Sequence, residues 1–184
     1  ERPPRLCDIL DIPLDSTGPD FGFEGENRSI LPGPWHLTGS LSPEELIPCC
    51  SREPLILHNR ETCVTVEFLK SLPFQERRTL QLVEAFEFQA FNTGLSAQGG
   101  HKWDGSFISH SGERLRARIT DPVLVEKLER GYQPGQHCLV TASLSMPFRP
   151  EGWRGDGLPS WKLMAGVIEL KPGAWAEARV PGFS

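Results

Sequence analysis

Residues 114–119 alternate strictly between arginine and an apolar side chain. The two sets are Arg114, Arg116 and Arg118 against Leu115, Ala117 and Ile119. Successive side chains of a β-strand point to opposite faces, whereas a helix would spread both sets around its axis. The segment is therefore expected to be a β-strand with one buried face and one cationic face, which requires a sheet covered on one side.

Short strands separated by turns are expected through the rest of the C-terminal half. Gly 18 and Pro 17 in 184 residues favour turns over a helical bundle or a coiled coil. Asp121-Pro122 is a typical helix start, and Gly131 is a typical helix end. The predicted elements are strands at 79–91, 106–110, 113–120, 136–146 and 161–170, and a helix at 121–130. The residues expected to share one face of the first strand are Leu80, Leu82, Phe86, Phe88 and Ala90.

This order of elements resembles the OB-fold, a five-stranded Greek-key barrel with a helix between its third and fourth strands. Arg116–Asp121 runs into the helix, Tyr132–Val140 resembles the x-x-G-x-x-V-x-V start of the fourth strand, and Leu163–Leu170 resembles the closing strand. The resemblance covers residues 76–172 and implies a mainly β fold. An SH3-like barrel and a small β-sandwich are the alternatives.

The residues before the barrel are expected to form an extension that a plain OB-fold lacks. The predicted organisation is a Pro-rich acidic arm at 1–34, a helix and hairpin extension at 35–75, the barrel at 76–172 and a tail at 173–184. Ser42 with Pro43 and Glu45 predicts a capped helix start. The hairpin is expected from Pro54–His58 and Thr62–Leu69. Its buried face is expected to hold Thr62, Val64, Val66 and Phe68.

The charge is divided unevenly between the two halves of the chain. The formal net charge is −5. Residues 1–75 carry 6 Lys or Arg and 12 Asp or Glu, whereas residues 76–172 carry 12 and 11. The whole chain therefore lacks the basic balance of a strong, non-specific nucleic-acid binder, but the barrel segment does not share that acidity.

The arginine face and nearby aromatic residues suggest a nucleic-acid site. Alternate residues of a strand lie about 6.5–7 Å apart, close to the spacing of phosphates along one strand of nucleic acid. In OB-folds that bind oligonucleotides, strands two and three and the flanking loops form the groove. Single-stranded DNA or RNA is therefore the expected partner, in a nucleic-acid maintenance complex. The candidate residues are Arg114, Arg116, Arg118, Lys102, Trp103, Phe107, Phe148, Arg149, Trp153 and Arg154.

Two other interpretations of these features stay open. The arginines can form a solvated strand face neutralised by Glu84, Glu87 or Glu113. The barrel can also serve as a protein-interaction platform without nucleic-acid contact, with residues 6–14 of the arm as the segment that docks on a protein partner. In that interpretation Trp103 and Trp153 pack over the barrel ends.

The sequence contains no motif that predicts catalysis, a cofactor or a metal. It has no phosphate-binding glycine loop, and no Cys or His spacing resembles a zinc site. Asp104, in Trp103-Asp104-Gly105, is expected to be a turn residue. Five cysteines, an odd number, are typical of reduced thiols in an intracellular protein. No apolar run is long enough for a membrane span. The missing catalytic motifs lead us to expect a protein that is not an enzyme, and the cysteines lead us to expect an intracellular one.

Overall fold

A computed structural model describes residues 3–95 and 99–176 of the chain. The predictions that concern residues 1–2, the tip of the loop at 96–98 and the tail beyond Ala176 lie outside these residues. The strands are β1 (Asp8–Asp11), β2 (His36–Ser40), β3 (Cys63–Thr65), β4 (Leu80–Leu95), β5 (His101–Ser109), β6 (Arg114–Ile119), β7 (Tyr132–Gln133), β8 (Cys138–Leu144), β9 (Pro159–Glu169) and β10 (Ala174–Trp175). The α-helices are α1 (Val66–Ser71) and α2 (Pro122–Glu129), and 3-10 helices lie at Pro43–Cys49, Ile56–His58 and Phe74–Glu76.

Five strands close into a barrel. Antiparallel pairing joins β4 to β5, β5 to β6, β4 to β8 and β8 to β9, and a parallel pairing of β6 with β9 completes the circle. Helix α2 connects the third barrel strand, β6, to the fourth, β8. The OB-type barrel and its element order are therefore confirmed, and the SH3-like and sandwich alternatives are excluded.

The interior of the barrel is apolar and receives every second residue of β6. Leu115, Ala117 and Ile119 are buried there, as predicted from their alternation with arginine. The capping helix α2 contributes Leu124 and Leu128 to the same core. Within the described residues, no helix is long and apolar enough to cross a membrane.

The prediction that one face of β4 holds Leu80, Leu82, Phe86, Phe88 and Ala90 is wrong for the first three, because the strand contains a bulge, whereas Phe88 and Ala90 do contact the core. Leu80 is 55 % exposed, whereas Val83 and Ala85 are buried. The pairing with β5 shifts register between Phe86 and Gln89, where Glu87 has a φ of 53°. A bulge adds one residue to a strand, so the inward parity changes from odd to even positions on crossing it. A single alternation therefore could not describe the whole strand.

The predicted hairpin at 54–69 was also wrong. Residues 56–58 form a 3-10 helix, and β3 pairs with β9 instead. The backbone then turns into α1, because the Thr65 hydroxyl caps the helix by accepting a hydrogen bond from Phe68 N. The helical turn leaves Phe68 42 % exposed and buries Leu69 instead.

The N-terminal arm forms its own two-stranded sheet. Strands β1 and β2 pair in antiparallel register, and an isolated bridge between Leu14 and Ile30 continues the ladder. The 3-10 helix after β2 begins with the predicted capping box, in which Ser42 and Glu45 bond each other's backbone N–H groups. The extension contacts the barrel through Glu26, whose carboxylate accepts hydrogen bonds from Thr79 Oγ1 and Leu80 N, both at 2.8 Å.

Gly135, the glycine of the predicted fourth-strand pattern, permits a close backbone approach at one end of the barrel. A Cβ at this position would lie 1.8 Å from the carbonyl oxygen of Lys171. We expect Gly135→Ala to lower the free energy of unfolding by at least about 1–3 kcal/mol, because the backbone must move to relieve the clash. Urea unfolding of both proteins measures the difference.

The matched control is Gly166→Ala, in β9. A Cβ there would meet Thr141 at no less than 3.5 Å, an ordinary contact. We expect this variant to unfold within about 1 kcal/mol of the parent protein. Equal stability of the Gly135→Ala and Gly166→Ala variants would contradict the close approach at residue 135.

Candidate nucleic-acid interface

The three arginines of β6 project from the outer face of the barrel, and each lies beside a carboxylate. Arg114 pairs with Glu87 at 3.3 Å. Arg116 and Arg118 both pair with Asp104, at 3.6 and 2.9 Å. The side chains of Arg114, Arg116 and Arg118 are 57 %, 60 % and 37 % exposed. A guanidinium group has five N–H donors, so one carboxylate contact does not use all of them.

Arg116 and Arg118 border a cleft of about 510 Å³ on the outer face of β5 and β6. Lys102 of β5 lies on the same border, and Phe148 and Trp161 close the opposite side. The cleft is therefore built from strands two and three of the barrel together with Phe148, from the segment between strands four and five, and the start of strand five, β9. It brings together four of the residues predicted from the sequence, namely Lys102, Arg116, Arg118 and Phe148.

Aromatic contacts fix the rings that border the cleft. The Trp161 indole packs against Phe148 with centroids 6.2 Å apart, and its Nε1 donates to the Phe148 carbonyl at 3.2 Å. Trp153 contacts the other side of Trp161 edge-on at 5.3 Å. Phe148 is 52 % exposed, so its ring has a free surface beside the cations. On the other side of the cleft, the guanidinium of Arg116 lies 4.6 Å from the ring centroid of Phe91.

The other predicted residues do not border this cleft. Arg114 lies further along β6, and Arg149, Trp153 and Arg154 belong to the segment between β8 and β9. Arg149 Nε donates to the Gly157 carbonyl within that segment. Trp103 lies on the opposite face of β5 and packs partly against the core.

Phe107 corrects the sequence prediction. Its side chain is 0 % exposed and lies in the barrel core, so the expectation of a surface aromatic was wrong. Side chains of β5 alternate between the two faces of the barrel wall, and those at the odd-numbered positions from Gly105 to Ser109 point inward and are buried. Extending the predicted strand back to His101 would have shown that Lys102 and Asp104 share the outer face.

Asp104 is a residue of the cleft that the sequence prediction placed in a turn. It lies inside β5, directly opposite Arg118 in the register of β5 with β6. Its two carboxylate oxygens are divided between the guanidinium groups of Arg116 and Arg118. Asp104 therefore orients both arginines at the border of the cleft, at the cost of one negative charge among three cations.

Lys162 follows Trp161 in the sequence, but its side chain is buried beneath the cleft. The residue is 2 % exposed, and its Nζ donates to the carbonyl oxygens of Ile56 and Asn59, each at 2.5 Å. Lys162 is therefore not one of the exposed cations of the cleft. Burial lowers the pKa of Lys162 from 10.5 to about 8, although the negative charge of Glu113 opposes the shift.

In the described part of the chain, no group of three His, Cys, Asp or Glu side chains could hold a metal ion. All five cysteines lie within that part, and each is a free thiol. The charged and aromatic groups that line the cleft are cations, one carboxylate and two aromatic rings.

The barrel and its outer cleft together define an OB-fold binding domain. A family model described as the dual OB-containing domain matches residues 1–167. The chain belongs to this family, and the match includes the N-terminal extension as well as the barrel. Searches of curated proteins and of solved structures each returned no match.

The lowered pKa of Lys162 predicts a pH dependence of stability. The folded and unfolded states are both protonated at this residue below about pH 8, and between about pH 8 and 10.5 the unfolded state holds more protons. We therefore expect the free energy of unfolding to rise with pH in this window relative to Lys162→Met. The expected slope is on the order of 1 kcal/mol per pH unit. Urea unfolding at pH 7, 8, 9 and 10 measures it.

Lys171→Met is the control for this comparison, because Lys171 is an exposed lysine. Its stability difference from the parent protein is expected to stay constant over the same pH range. If the parent protein does not gain stability over Lys162→Met as the pH rises from 8 to 10, the ammonium of Lys162 is not desolvated in the folded protein.

Proposed function

We propose that this domain binds single-stranded DNA or RNA in the outer cleft, as a subunit of a nucleic-acid maintenance complex. One observation carries the proposal. Cations from two adjacent barrel strands border the same cleft as two aromatic rings, one from the segment between strands four and five and one from the start of strand five. The residues are Lys102, Arg116, Arg118, Phe148 and Trp161.

The chemistry of the cleft suits a single strand. Alternate residues of β6 are about 6.5–7 Å apart, so Arg116 and Arg118 can contact successive phosphates. A guanidinium group offers several donors in a fixed plane, and its pairing with Asp104 leaves some of them available. The exposed ring of Phe148 provides a surface on which a base can stack, an interaction that does not depend on base identity.

The charges of the chain predict moderate affinity. Three cations face one carboxylate in the cleft, and residues 1–75 add a strongly acidic segment to the same chain. Binding is therefore expected to weaken steeply with salt, since it depends on a few phosphate contacts. Tight binding would require the other subunits of the complex to contribute further contacts.

A second candidate function is a protein-interaction platform. Leu6, Ile9 and Leu14 of the N-terminal arm and Leu37 of β2 are exposed, and exposed apolar side chains can take part in a protein interface. In this candidate the segment 6–14 docks on a protein partner, and the barrel makes no nucleic-acid contact. The five free thiols support an intracellular location in both cases. The domain is proposed to bind rather than to catalyse.

Substitution of both arginines in the cleft tests the proposed site. We expect Arg116→Ala combined with Arg118→Ala to weaken binding of labelled oligo-dT and oligo-U by about tenfold or more at low salt. The slope of log K against log salt should fall by about 1.4, because each lost phosphate contact on a single strand accounts for roughly 0.7. Fluorescence anisotropy at several salt concentrations measures both quantities.

Arg114→Ala is the matched control, since it removes the same charge from the same strand outside the cleft. We expect it to change the affinity less than threefold. Unchanged affinity in the double variant would reject the assigned site. Absence of any oligonucleotide binding by the parent protein at low salt would favour the interaction platform.

Phe148 tests the stacking contribution separately from charge. We expect Phe148→Ala to weaken oligonucleotide binding by about fivefold or more while leaving the salt slope unchanged, because a stacked base contributes about 1–3 kcal/mol. Phe74→Ala, at another exposed phenylalanine, is the control and should bind like the parent protein. Equal affinities of the two variants would remove Phe148 from the site.

A further inference from the structure

Phe91 of β4 lies on the same outer face of the barrel as the cleft, one strand beyond its border. The register of β4 with β5 places Phe91 directly opposite Asp104, and Asp104 is directly opposite Arg118 in the register of β5 with β6. Directly opposite residues of antiparallel strands share one face of a sheet. Phe91 is therefore a half-buried aromatic residue beside the charged groups of the cleft, although it does not line the cleft itself.

The guanidinium group of Arg116 lies over the ring of Phe91. Its Cζ is 4.6 Å from the ring centroid, within the range of a cation–π contact. Arg116 reaches this position diagonally, because its register partner on β5 is Ser106, whereas its Nη2 lies 3.6 Å from the Asp104 carboxylate. Two contacts therefore hold the guanidinium group in place, one with an aromatic ring and one with a carboxylate.

The side of the guanidinium group that faces away from Phe91 is available to a ligand. The Arg116 side chain is 60 % exposed in spite of its two contacts. A guanidinium group stacks on a nucleic-acid base through its planar face, and it binds phosphate through the N–H groups at its edge. The two interactions use different parts of the group, so Arg116 can contact a phosphate and a base together.

We propose that Phe91 and Arg116 form a second stacking surface, in which Phe91 is a positioning residue and a base stacks on the guanidinium group that it holds. This inference rests on the function proposed above. It adds a second base position to the interface, on the opposite side of the arginines from Phe148.

The order of the strands determines the length of the ligand. Strands β5 and β6 lie between β4, which carries Phe91, and β9, where Trp161 contacts Phe148. Neighbouring strands are about 4.8 Å apart, so the two stacking surfaces are separated by about 14 Å. About three to four nucleotides of a single strand span this distance, close to the smallest site of one OB-fold. A dinucleotide is too short to use both surfaces.

Substitutions of Phe91 test the positioning role. Phe91→Leu keeps an apolar side chain but removes the aromatic face, whereas Phe91→Tyr retains that face. By fluorescence anisotropy at low salt, we expect Phe91→Leu to bind labelled dT8 about three- to fivefold more weakly, and Phe91→Tyr to stay within about twofold of the parent protein. The slope of log K against log salt should not change in either variant, because no charge is removed. A loss of affinity in Phe91→Tyr equal to that in Phe91→Leu would overturn the proposal.

The effect of Phe91 must depend on Arg116. In an Arg116→Ala background, we expect Phe91→Leu to change the affinity for dT8 by less than about 1.5-fold, since the partner of the ring is already absent. The same three- to fivefold loss in both backgrounds would show that Phe91 acts independently of Arg116, contrary to the proposal.

Ligand length provides a second measurement. Unlabelled dT2 and dT4 are compared as competitors of labelled dT8. In the parent protein dT4 should compete much better than dT2, because only dT4 reaches both surfaces. We expect Phe91→Leu to weaken dT4 by about three- to fivefold and dT2 by less than about twofold. An equal loss for both lengths would place Phe91 outside a second base position.

Phe86→Leu is the matched control, because Phe86 belongs to the same strand but stacks on His137, with ring centroids 4.8 Å apart. It should bind all three oligonucleotides like the parent protein. If the parent protein binds no oligonucleotide, the proposed function fails and this inference with it. If Arg116→Ala combined with Arg118→Ala weakens binding but Phe91→Leu does not, only the second stacking surface is rejected.

Discussion

Strand β9 hydrogen-bonds to three other strands, and the closure of the barrel depends on it. It pairs with β8 along most of its length, with β6 in parallel at Leu163 and Met164, and with β3 at its beginning. Without the parallel pairing, β6 would have a free edge and the core would open to water on that side. The Greek-key order follows, since a parallel neighbour requires a long connection.

The same strand also determines where the cleft lies. Because Arg118 is paired with Leu163, the start of β9 brings Trp161 alongside the arginine face. Lys162, the next residue of β9, points inward. Its Nζ donates a hydrogen bond to the Ile56 carbonyl and so links the 3-10 helix at 56–58 to the barrel. Cations from β6 and aromatics near β9 thus meet only after the barrel has closed.

The cleft and the barrel core share β5, so one strand serves two chemically different environments. Lys102 and Asp104 line the cleft beside the arginines, whereas Trp103 between them packs partly against the core. The separation is a direct result of the two-residue period of a strand. A charged surface and an apolar one therefore lie on opposite sides of the same backbone.

Strict alternation was sufficient to predict β6, because the strand is regular and one face is fully buried. Neither β4 nor residues 54–69 could be predicted in the same way. A bulge at Glu87 changes the inward parity of β4. The Thr65 hydroxyl accepts a hydrogen bond from Phe68 N and so caps a helix where a strand was predicted. Both are local backbone events that hydrophobic spacing does not reveal.

The sequence by itself determined the OB-type element order and the cationic face of β6, since both depend on local periodicity. Only the tertiary structure decided which of the predicted residues meet. It placed Phe107 in the core and moved Arg114 away from the cleft, and it set Asp104 between two arginines. These outcomes depend on strand register and barrel closure, which join residues that are distant along the chain.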